Sequence, residues 1–489
     1  GGRRPHSEID IMSNPTPARN ETTRRTFIKG ALSAGAAFAA AGPLGCAQTG
    51  TTPQVEPTPA PAEPGQPKPV VHQPKSATPY NQINVAFIGT GGIGKMHLEH
   101  AAELGFGCQC FCDVDTAQHA TAAEMYPHAR RYQDYREMFD KEAKNIDAVM
   151  IGTPDHHHYP ATIIAMQLGK HVYTQKPLTH TPWEARQLTE AAKKYKVVTQ
   201  MGNQGHAMEG WRLVYEWIRS GALGQIREVH TWTDRPIWPQ GMERPEGSDP
   251  IPSTLNWDIW LGPAPERPFK KDVYHRFAWR GWWDFGAGAL GDMACHTMDG
   301  VFWALDPGYP TSVEPIAATP ITADAFPKSA VIKWEYPAKG DRAAFVSYWY
   351  DGGLMPPFPP ELEIGRKMSP TGNLFLGTKA SMLVQGDYGD SPRIIPEAKM
   401  KEIGKPAQLL ERSPGQIQEW IMAVAGEKPQ DFTKSNFGYA GPFTESILLG
   451  NIALRVGRRL EWDGANMKFT NVPEANQYVS KEYRAGWKF

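Results

Sequence analysis

The stretch Asn84-Val-Ala-Phe-Ile-Gly-Thr-Gly-Gly-Ile-Gly94 joins an apolar strand directly to a glycine-rich turn with the pattern G-x-G-x-x-G. In folds that bind dinucleotides, the first glycine of this pattern makes a tight turn and the second lets the backbone approach a pyrophosphate. The third lets the next helix pack closely on the sheet, and the N-terminus of that helix faces the phosphate charge. We therefore expect a dinucleotide to bind along Gly89, Thr90, Gly91, Gly92, Ile93 and Gly94.

An acidic residue follows the next apolar segment. Residues 105–112 lead into Asp113, at about the 20-residue spacing at which an acid binds the adenosine ribose. Because a carboxylate at this point repels a 2′-phosphate, the sequence favours NAD over NADP. Apolar runs at 147–152, 171–174 and 197–201 then alternate with helical segments. Such alternation predicts a parallel sheet with right-handed crossovers, so the fold class is α/β with an N-terminal Rossmann domain.

Three of these strands end in polar motifs, which are TPDHHH (153–158), QKP (175–177) and GNQGH (202–206). Because ligands bind at the carboxyl ends of parallel strands, we expect these motifs to face the nicotinamide and the substrate. A partly desolvated Lys176 could orient or deprotonate a hydroxyl, although a lysine before proline is more often a solvated loop residue. Three adjacent histidines do not converge on one ion, so no metal site is expected. The cofactor contacts assigned to these motifs are Thr153, Pro154, His156, Gln175 and Asn203.

The segment Arg280-Gly-Trp-Trp-Asp-Phe-Gly-Ala-Gly-Ala-Leu-Gly-Asp-Met-Ala-Cys-His296 predicts a helix that carries Asp292 and His296 on one face. An aspartate that orients a histidine is a common acid–base arrangement. The alternative is a helix-capping aspartate and a core histidine. Most of the 16 tryptophans lie between residues 211 and 303, and indole rings stack on sugars, although most of these rings should form core. We assign the substrate to Arg280, Trp282 and Trp283.

From about Asn81 to the C-terminus, the chain resembles the Gfo/Idh/MocA oxidoreductases in its GTGGIG turn, Asp113, TPDHHH, the Lys176-Pro177 pair and GDMACH. The resemblance implies a Rossmann domain followed by an α/β domain with an open, mostly antiparallel sheet. It also implies a nicotinamide enzyme for sugars, cyclitols or their derivatives, in which Lys176 and His296 handle the hydroxyl proton. The family usually has Glu before Lys-Pro, whereas this chain has Gln175, so a carboxylate partner for the lysine is missing from that position.

The N-terminal region predicts export. The run Thr23-Arg24-Arg25-Thr26-Phe27-Ile28-Lys29 precedes a short apolar stretch, as in a twin-arginine signal, and Met12 is the expected start of a signal of ordinary length. Cys46 follows as a possible lipid-modified residue, and an ordinary linker after signal cleavage is the alternative. The Pro- and Thr-rich residues that come next cannot form a core and suit a tether. The predicted domains are therefore the signal (1–46), the tether (47–80), the Rossmann domain (81–204) and a substrate and oligomerisation domain (205–489).

The chain has 51 Lys and Arg against 52 Asp and Glu, so neither nucleic acid nor an anionic membrane surface is an expected partner. We expect a carbohydrate substrate, a membrane link only through Cys46, and a homo-oligomer, either a dimer or a tetramer. An exported enzyme meets no pool of NAD, which favours one tightly bound NAD that is recycled internally. A redox-neutral, NAD-dependent cleavage of glycosides is one alternative. A non-catalytic sugar-binding protein of the same fold is the other.

Overall fold

The computed structural model describes residues 77–488. The predicted twin-arginine segment, Cys46 and most of the predicted tether lie outside the described residues, so the export and lipidation predictions stay predictions. Within residues 77–488, no helix is both long and apolar enough to cross a membrane.

The first part of the described chain forms a six-stranded sheet in the order β3-β2-β1-β4-β5-β6. Every neighbouring pair is parallel, which confirms the predicted Rossmann topology. The three central strands of the order, β2, β1 and β4, are continuous buried apolar runs because helices cover both faces of such a sheet, whereas the edge strand β3 is largely exposed. The strands are β1 (Val85–Ile88), β2 (Cys110–Cys112), β3 (Arg130–Tyr132), β4 (Ala148–Ile151), β5 (His171–Thr174) and β6 (Thr199–Met201).

Five helices connect these strands, and the fifth shows how the sequence sets a helix start. The Thr181 hydroxyl accepts from the Glu184 amide at 3.3 Å, and the Glu184 carboxylate accepts from the Thr181 amide at 3.0 Å. This capping box satisfies two backbone donors that a helix leaves unpaired, and Pro182 at the first helical position needs no donor. The helices are α1 (Ile93–Glu103), α2 (His119–Met125), α3 (Tyr135–Glu142), α4 (His158–Gln167) and α5 (Pro182–Tyr195).

The second part forms a nine-stranded open sheet in the order β13-β12-β11-β7-β10-β9-β8-β14-β15. All pairs are antiparallel except β7 with β10, so the sheet is mixed and mostly antiparallel, as predicted. Its strands are β7 (Ile226–Trp232), β8 (Ser312–Ala318), β9 (Ala330–Tyr336), β10 (Phe345–Tyr350), β11 (Gly372–Gly377), β12 (Ser381–Gln385), β13 (Asp390–Ile395), β14 (Leu460–Asp463) and β15 (Lys468–Phe469).

One face of this sheet is covered by helices. The other face is half-buried in the middle of the sheet and is covered near β13 by a cluster that includes Leu362. Along β9 buried and half-buried residues alternate, and the Trp334 indole on the buried face donates to the Ser446 carbonyl of the longest helix at 3.0 Å. The helices of this part are α6 (Glu209–Arg219), α7 (Trp257–Leu261), α8 (Gly288–Thr297), α9 (Asp299–Leu305), α10 (Glu397–Ile403), α11 (Gln416–Val424) and α12 (Phe437–Val456).

A long connection between β7 and α8 packs against the end of the parallel sheet. The Thr116 amide donates to the Thr254 carbonyl at 2.9 Å, and the Asn256 amide donates to the Val114 carbonyl at 2.9 Å. These bonds hold the connection beside the residues that follow β2. The α8 helix, which comes next, therefore starts close to the carboxyl ends of β4 and β5.

Candidate active site

A cavity of about 500 Å³ lies at the carboxyl ends of the parallel strands. Its lining falls into two groups. The glycine turn and Asp113 form one, and residues from the β5 end, α8 and the preceding connection form the other. This is the location that the sequence predicted for ligands of a parallel sheet.

The glycine turn has the geometry that its sequence predicts. Gly89 has φ +81°, and a Cβ atom at Gly94 would lie 1.8 Å from the Gly89 carbonyl oxygen. Gly92 caps α1 without a side-chain hydrogen bond, so no side chain occupies the donors of the first turn. Together these features fit the pyrophosphate of a dinucleotide, because unpaired N–H groups and the helix dipole attract phosphate.

Asp113 lies beside this turn and lines the cavity. Its carboxylate accepts from the Thr90 amide at 2.8 Å and from the Asp115 amide at 3.0 Å. Burial raises the pKa of Asp113, and these two hydrogen bonds oppose that rise. Thr90 is itself buried, so it positions the carboxylate and does not line the cavity.

Lys176 and Asp292 form the centre of the second group. The Lys176 ammonium donates to the Asp292 carbonyl at 2.9 Å and to Oδ1 of its carboxylate at 3.1 Å. Arg280 Nε donates to the same Oδ1 at 3.0 Å. Burial opposes ionisation of Asp292, but the charges of Lys176 and Arg280 outweigh it and hold the pKa of this carboxyl well below its usual range. Asp292 thus supplies the carboxylate partner that Gln175 cannot supply.

His296 also lines the cavity but does not pair with Asp292, which corrects the predicted aspartate–histidine pair. The Lys176 ammonium and the Arg280 guanidinium both donate to Oδ1 of the Asp292 carboxylate instead. The His296 ring instead packs edge-on against Tyr388, with ring centres 5.1 Å apart, and its Nδ1 has no partner among residues 77–488. Burial and then the nearby Lys176 charge lower the pKa of His296 to about 3. The ring is therefore neutral at neutral pH and can accept a hydrogen bond or a proton.

Gln175 lines the cavity and is held from behind. Its amide nitrogen donates to Nε2 of His97, a buried histidine on α1, at 2.9 Å. Burial lowers the pKa of His97 to about 4, so this partner is uncharged at neutral pH. At the position where the family usually has a glutamate, this chain therefore has the neutral Gln175 amide, which is bonded to the neutral His97 imidazole.

Asp155 is a cavity residue to which the sequence gave no role. It follows β4, is 3% exposed, and accepts at Oδ2 from the Ala287 amide at the start of α8 at 2.9 Å. Burial and the neighbouring Asp292 charge raise the pKa of Asp155 to about 7, although Arg280 and Lys176 oppose this. Its position in the TPDHHH motif at the end of a parallel strand could have indicated a cavity residue, but the sequence analysis assigned His156 of that motif to the site instead.

Besides Thr90 and Gly94, four predicted contacts do not line the cavity. His156 is fully buried with its ring nitrogens against the Phe285 and Trp260 carbonyls, and Asn203 accepts from Gln416 and Ser435. The Trp282 indole donates to the Val273 carbonyl, and Trp283 packs on Phe326. His156, Trp282 and Trp283 are buried within the packing of the connection before α8, and Asn203 is buried against Gln416 of α11 and Ser435. Their neighbours His157, Gln204 and Trp279 line the cavity in their place, while Thr153, Pro154 and Arg280 line it as expected.

No three His, Cys, Asp or Glu side chains converge on a metal position in the part of the chain that the structure describes. The four described cysteines, which are Cys108, Cys110, Cys112 and Cys295, are buried free thiols. Burial raises the pKa of each, which makes them poor nucleophiles.

Comparison with known proteins agrees with this arrangement. Residues 83–203 match the family model described as oxidoreductase family, NAD-binding Rossmann fold. Residues 225–346 match the model described as oxidoreductase family, C-terminal alpha/beta domain. Both models belong to the Gfo/Idh/MocA group and follow each other in the order of the two sheets.

Three curated relatives show similarity over parts of the chain. Levoglucosan dehydrogenase of Pseudarthrobacter phenanthrenivorans is 26% identical over 44% of this chain and 50% of its own length. D-glucoside 3-dehydrogenase of Escherichia coli is 30% identical over 31% of this chain and 43% of its own length. Glycosyl hydrolase family 109 protein 1 of Shewanella sp. is 30% identical over 29% and 33%. The chain thus spans half or less of the length of these relatives.

A solved structure shares the fold over most of its length. The WlbA dehydrogenase from Chromobacterium violaceum, whose structure is a complex with NADH and UDP-GlcNAcA, aligns with a TM-score of 0.56 at 20% identity. The alignment covers 81% of this chain and 99% of that chain. Both domains of the described chain therefore have counterparts in one solved structure, which shows the fold. The two family models, matched in order, show that the chain carries the NAD-binding and the C-terminal domain of the Gfo/Idh/MocA oxidoreductase family.

Proposed function

We propose that this protein is a NAD-dependent oxidoreductase that acts on a hydroxyl group of a sugar, a cyclitol or a glycoside. The observation that carries the proposal is the composition of the cavity. The glycine turn and Asp113 share it with Lys176, Asp292 and His296. A site for a dinucleotide and a set of groups that bind and deprotonate a hydroxyl are thus brought into one space. Two of the similar proteins, named after levoglucosan and D-glucosides, support a carbohydrate as the substrate class.

The dinucleotide would lie along the glycine turn, with its pyrophosphate at the α1 N-terminus and its ribose hydroxyls on Asp113. We propose NAD and not NADP, because the Asp113 carboxylate would repel a 2′-phosphate. Thr153, Pro154 and Gln175 line the part of the cavity between this end and Lys176, and they would contact the nicotinamide half. When bound, NAD would accept the hydride from the carbon that carries the reacting hydroxyl.

The chain's own groups would handle the hydroxyl. Lys176 is held by two hydrogen bonds to Asp292, so its remaining N–H can donate to the hydroxyl oxygen and fix its position. His296 is neutral and can accept the proton as the hydride leaves. Arg280 is also anchored to Asp292 and packs over Trp279 at 4.3 Å, and both side chains would lie beside the substrate. Asp292 thus orders two of the groups that would meet the sugar.

The predicted export signal supports a cofactor that stays bound, because no exchangeable NAD is available outside the cytoplasm. We therefore propose an exported enzyme, periplasmic or lipid-anchored at Cys46, in which a second substrate reoxidises the same NAD. We also propose a homo-oligomer that associates through the half-buried face of the nine-stranded sheet.

A redox-neutral glycoside cleavage is the second candidate function. It would use the same cavity to oxidise a ring carbon, eliminate the aglycone, add water and reduce the carbon again. The similarity to a glycosyl hydrolase family 109 protein favours this alternative. Release of an aryl aglycone without net formation of reduced cofactor would distinguish it from a dehydrogenase.

The test uses full-length protein purified without added cofactor. Denaturation and mass spectrometry would identify any retained dinucleotide, and its redox state would be compared before and after addition of levoglucosan and aryl glycosides. Retained NAD that a sugar reduces supports the proposal. A protein that binds NAD and sugar but never changes the redox state of the cofactor is a carbohydrate-binding protein of this fold. A protein that binds no dinucleotide at all overturns the proposal.

A further inference from the structure

Oxidation of a hydroxyl by hydride transfer releases one proton for each hydride, and a cofactor that is recycled in place can reuse that proton if a side chain of the cavity keeps it. The high charge density around Asp292 restricts the choice. The Asp292 carboxylate is bonded to two cations, and its pKa lies well below the usual range, so it does not hold a proton at neutral pH. His296 can accept the proton at the moment of transfer, but with a pKa of about 3 it does not keep it. A further acceptor is needed.

Asp155 lies where such an acceptor is required. It follows β4, and Lys176 follows the neighbouring strand β5. Asp155 lines the same cavity as Lys176 and His296. Its Oδ2 accepts from the Ala287 amide at 2.9 Å, and no side chain of residues 77–488 donates a hydrogen bond to its carboxyl. The charged and titratable groups that face it are Lys176 at the end of β5, Arg280 before α8, and Asp292 and Cys295 on α8.

We propose that Asp155 stores the proton that leaves the substrate hydroxyl and returns it when the hydride moves back. This inference rests on the proposed oxidoreductase function. In the forward direction the O–H bond breaks, the proton passes to the neutral His296 ring, and the ionised Asp155 carboxylate then takes it up. The carbon gives its hydride to NAD and becomes a carbonyl. In the reverse direction each transfer is undone, so protons and electrons balance over a full cycle.

Storage inside the cavity suits a cofactor that is recycled in place. A proton kept on Asp155 is available for the second half of the cycle without exchange with bulk water. The carboxyl has the required affinity, because burial and the neighbouring Asp292 charge raise its pKa to about 7. It can therefore both take up and release a proton at neutral pH.

The kinetic test compares wild-type protein with Asp155→Asn, which can still accept from the Ala287 amide but cannot take up a proton. We expect the wild-type rate of sugar-dependent reduction of bound NAD to rise with pH up to about 7 and then to level off. In the variant this rise should be lost, and the rate at pH 8 should fall roughly 100-fold, the lower end of what acid–base groups contribute. NADH binding, followed by its fluorescence, should remain unchanged. Superimposable pH profiles in the two proteins would overturn the proposal.

Asp351→Asn is the matched control. Asp351 is also fully buried with a pKa raised by burial to about 7, but it bonds Trp349 and the Ala330 amide and lies away from the cavity lining. This variant should keep the wild-type pH profile. If Asp351→Asn alters the profile as Asp155→Asn does, the effect comes from any buried carboxyl and the role assigned to Asp155 is wrong.

A second readout requires no turnover. Infrared difference spectra of the full-length protein between pH 5.5 and 8.5 should contain a carbonyl band of a protonated carboxyl that Asp155→Asn lacks. Absence of this band overturns the proposal even if the protein oxidises sugars. Presence of the band in a protein that reduces no NAD with any sugar shows that the oxidoreductase function, and with it the stored substrate proton, is wrong while the titration of Asp155 is right.

Discussion

Replacement of Asp155 by asparagine should make the free energy of unfolding fall less between pH 5 and pH 8, although it removes a charged group from the cavity. An ionised carboxylate is costly at this site because the side chain is 3% exposed and lies near Asp292. The native protein therefore holds the Asp155 proton more tightly than the unfolded chain does. Its stability is highest below the unfolded pKa of 3.8, falls as the pH rises towards about 7, and stays low above that value.

The size of the effect follows from the two pKa values. A difference of about three units, at 1.36 kcal/mol per unit, gives a loss of about 4 kcal/mol at pH 8 relative to strongly acidic solution. At pH 5 about 1.5 kcal/mol of this loss has already occurred. Asparagine does not ionise, so the stability of Asp155→Asn relative to wild type should improve by about 2–3 kcal/mol between pH 5 and pH 8. All other titrating groups are common to both proteins and cancel in this difference.

The assay is urea unfolding followed by tryptophan fluorescence, at pH 5, 6.5 and 8 and constant ionic strength. The quantity of interest is the difference in unfolding free energy between the two proteins at each pH. A difference that does not change with pH would show that Asp155 is in one protonation state throughout. That result would refute the burial argument and the elevated pKa together.

Further substitutions test the other parts of the site. Lys176→Met should lower sugar-dependent reduction of bound NAD by about 100-fold or more while NADH still binds, whereas Lys170→Met, at the opposite end of β5, should have no effect. Asp292→Leu should lower the free energy of unfolding by about 3–5 kcal/mol at pH 7, measured by urea, because two partly buried cations lose their shared partner. Gly94→Ala should abolish NADH binding in a fluorescence titration, because the new Cβ would lie 1.8 Å from the Gly89 oxygen. Asp113→Ser should reduce the preference for NADH over NADPH in the same titration, since no carboxylate would then repel the 2′-phosphate.

The parallel sheet was predictable because its signals are local. An apolar strand, a G-x-G-x-x-G turn and an acid about 20 residues on each follow from the conformation of a few neighbouring residues. The order of strands and the location of the cavity then follow from the general handedness of such folds. The second sheet was expected from the family resemblance, but its single parallel pair among the described strands, β7 with β10, depends on the path of the chain between them.

The contacts within the site were harder to predict, because they depend on distant segments. Asp292 and His296 share a helical face, which suggested a pair, but the Asp292 carboxylate turns to Lys176 and Arg280 from other elements. Likewise, the adjacent indoles of Trp282 and Trp283 suggested a substrate contact, whereas Trp260 and Trp279 are the tryptophans that line the cavity. Neighbouring residues in an irregular segment point in different directions, and only the packed connection before α8 determines which of them reach the cavity.

The central claim is that a sugar hydroxyl reduces NAD within this cavity through Lys176. The most direct measurement loads wild-type and Lys176→Met protein with NAD, removes free cofactor, and follows the absorbance of reduced nicotinamide after a single addition of levoglucosan or an aryl glycoside. We expect a rise in the wild type, without external NAD, and almost none in the variant. Equal rises in both proteins, or bound NAD that no sugar in the panel reduces in the wild type, would contradict the claim.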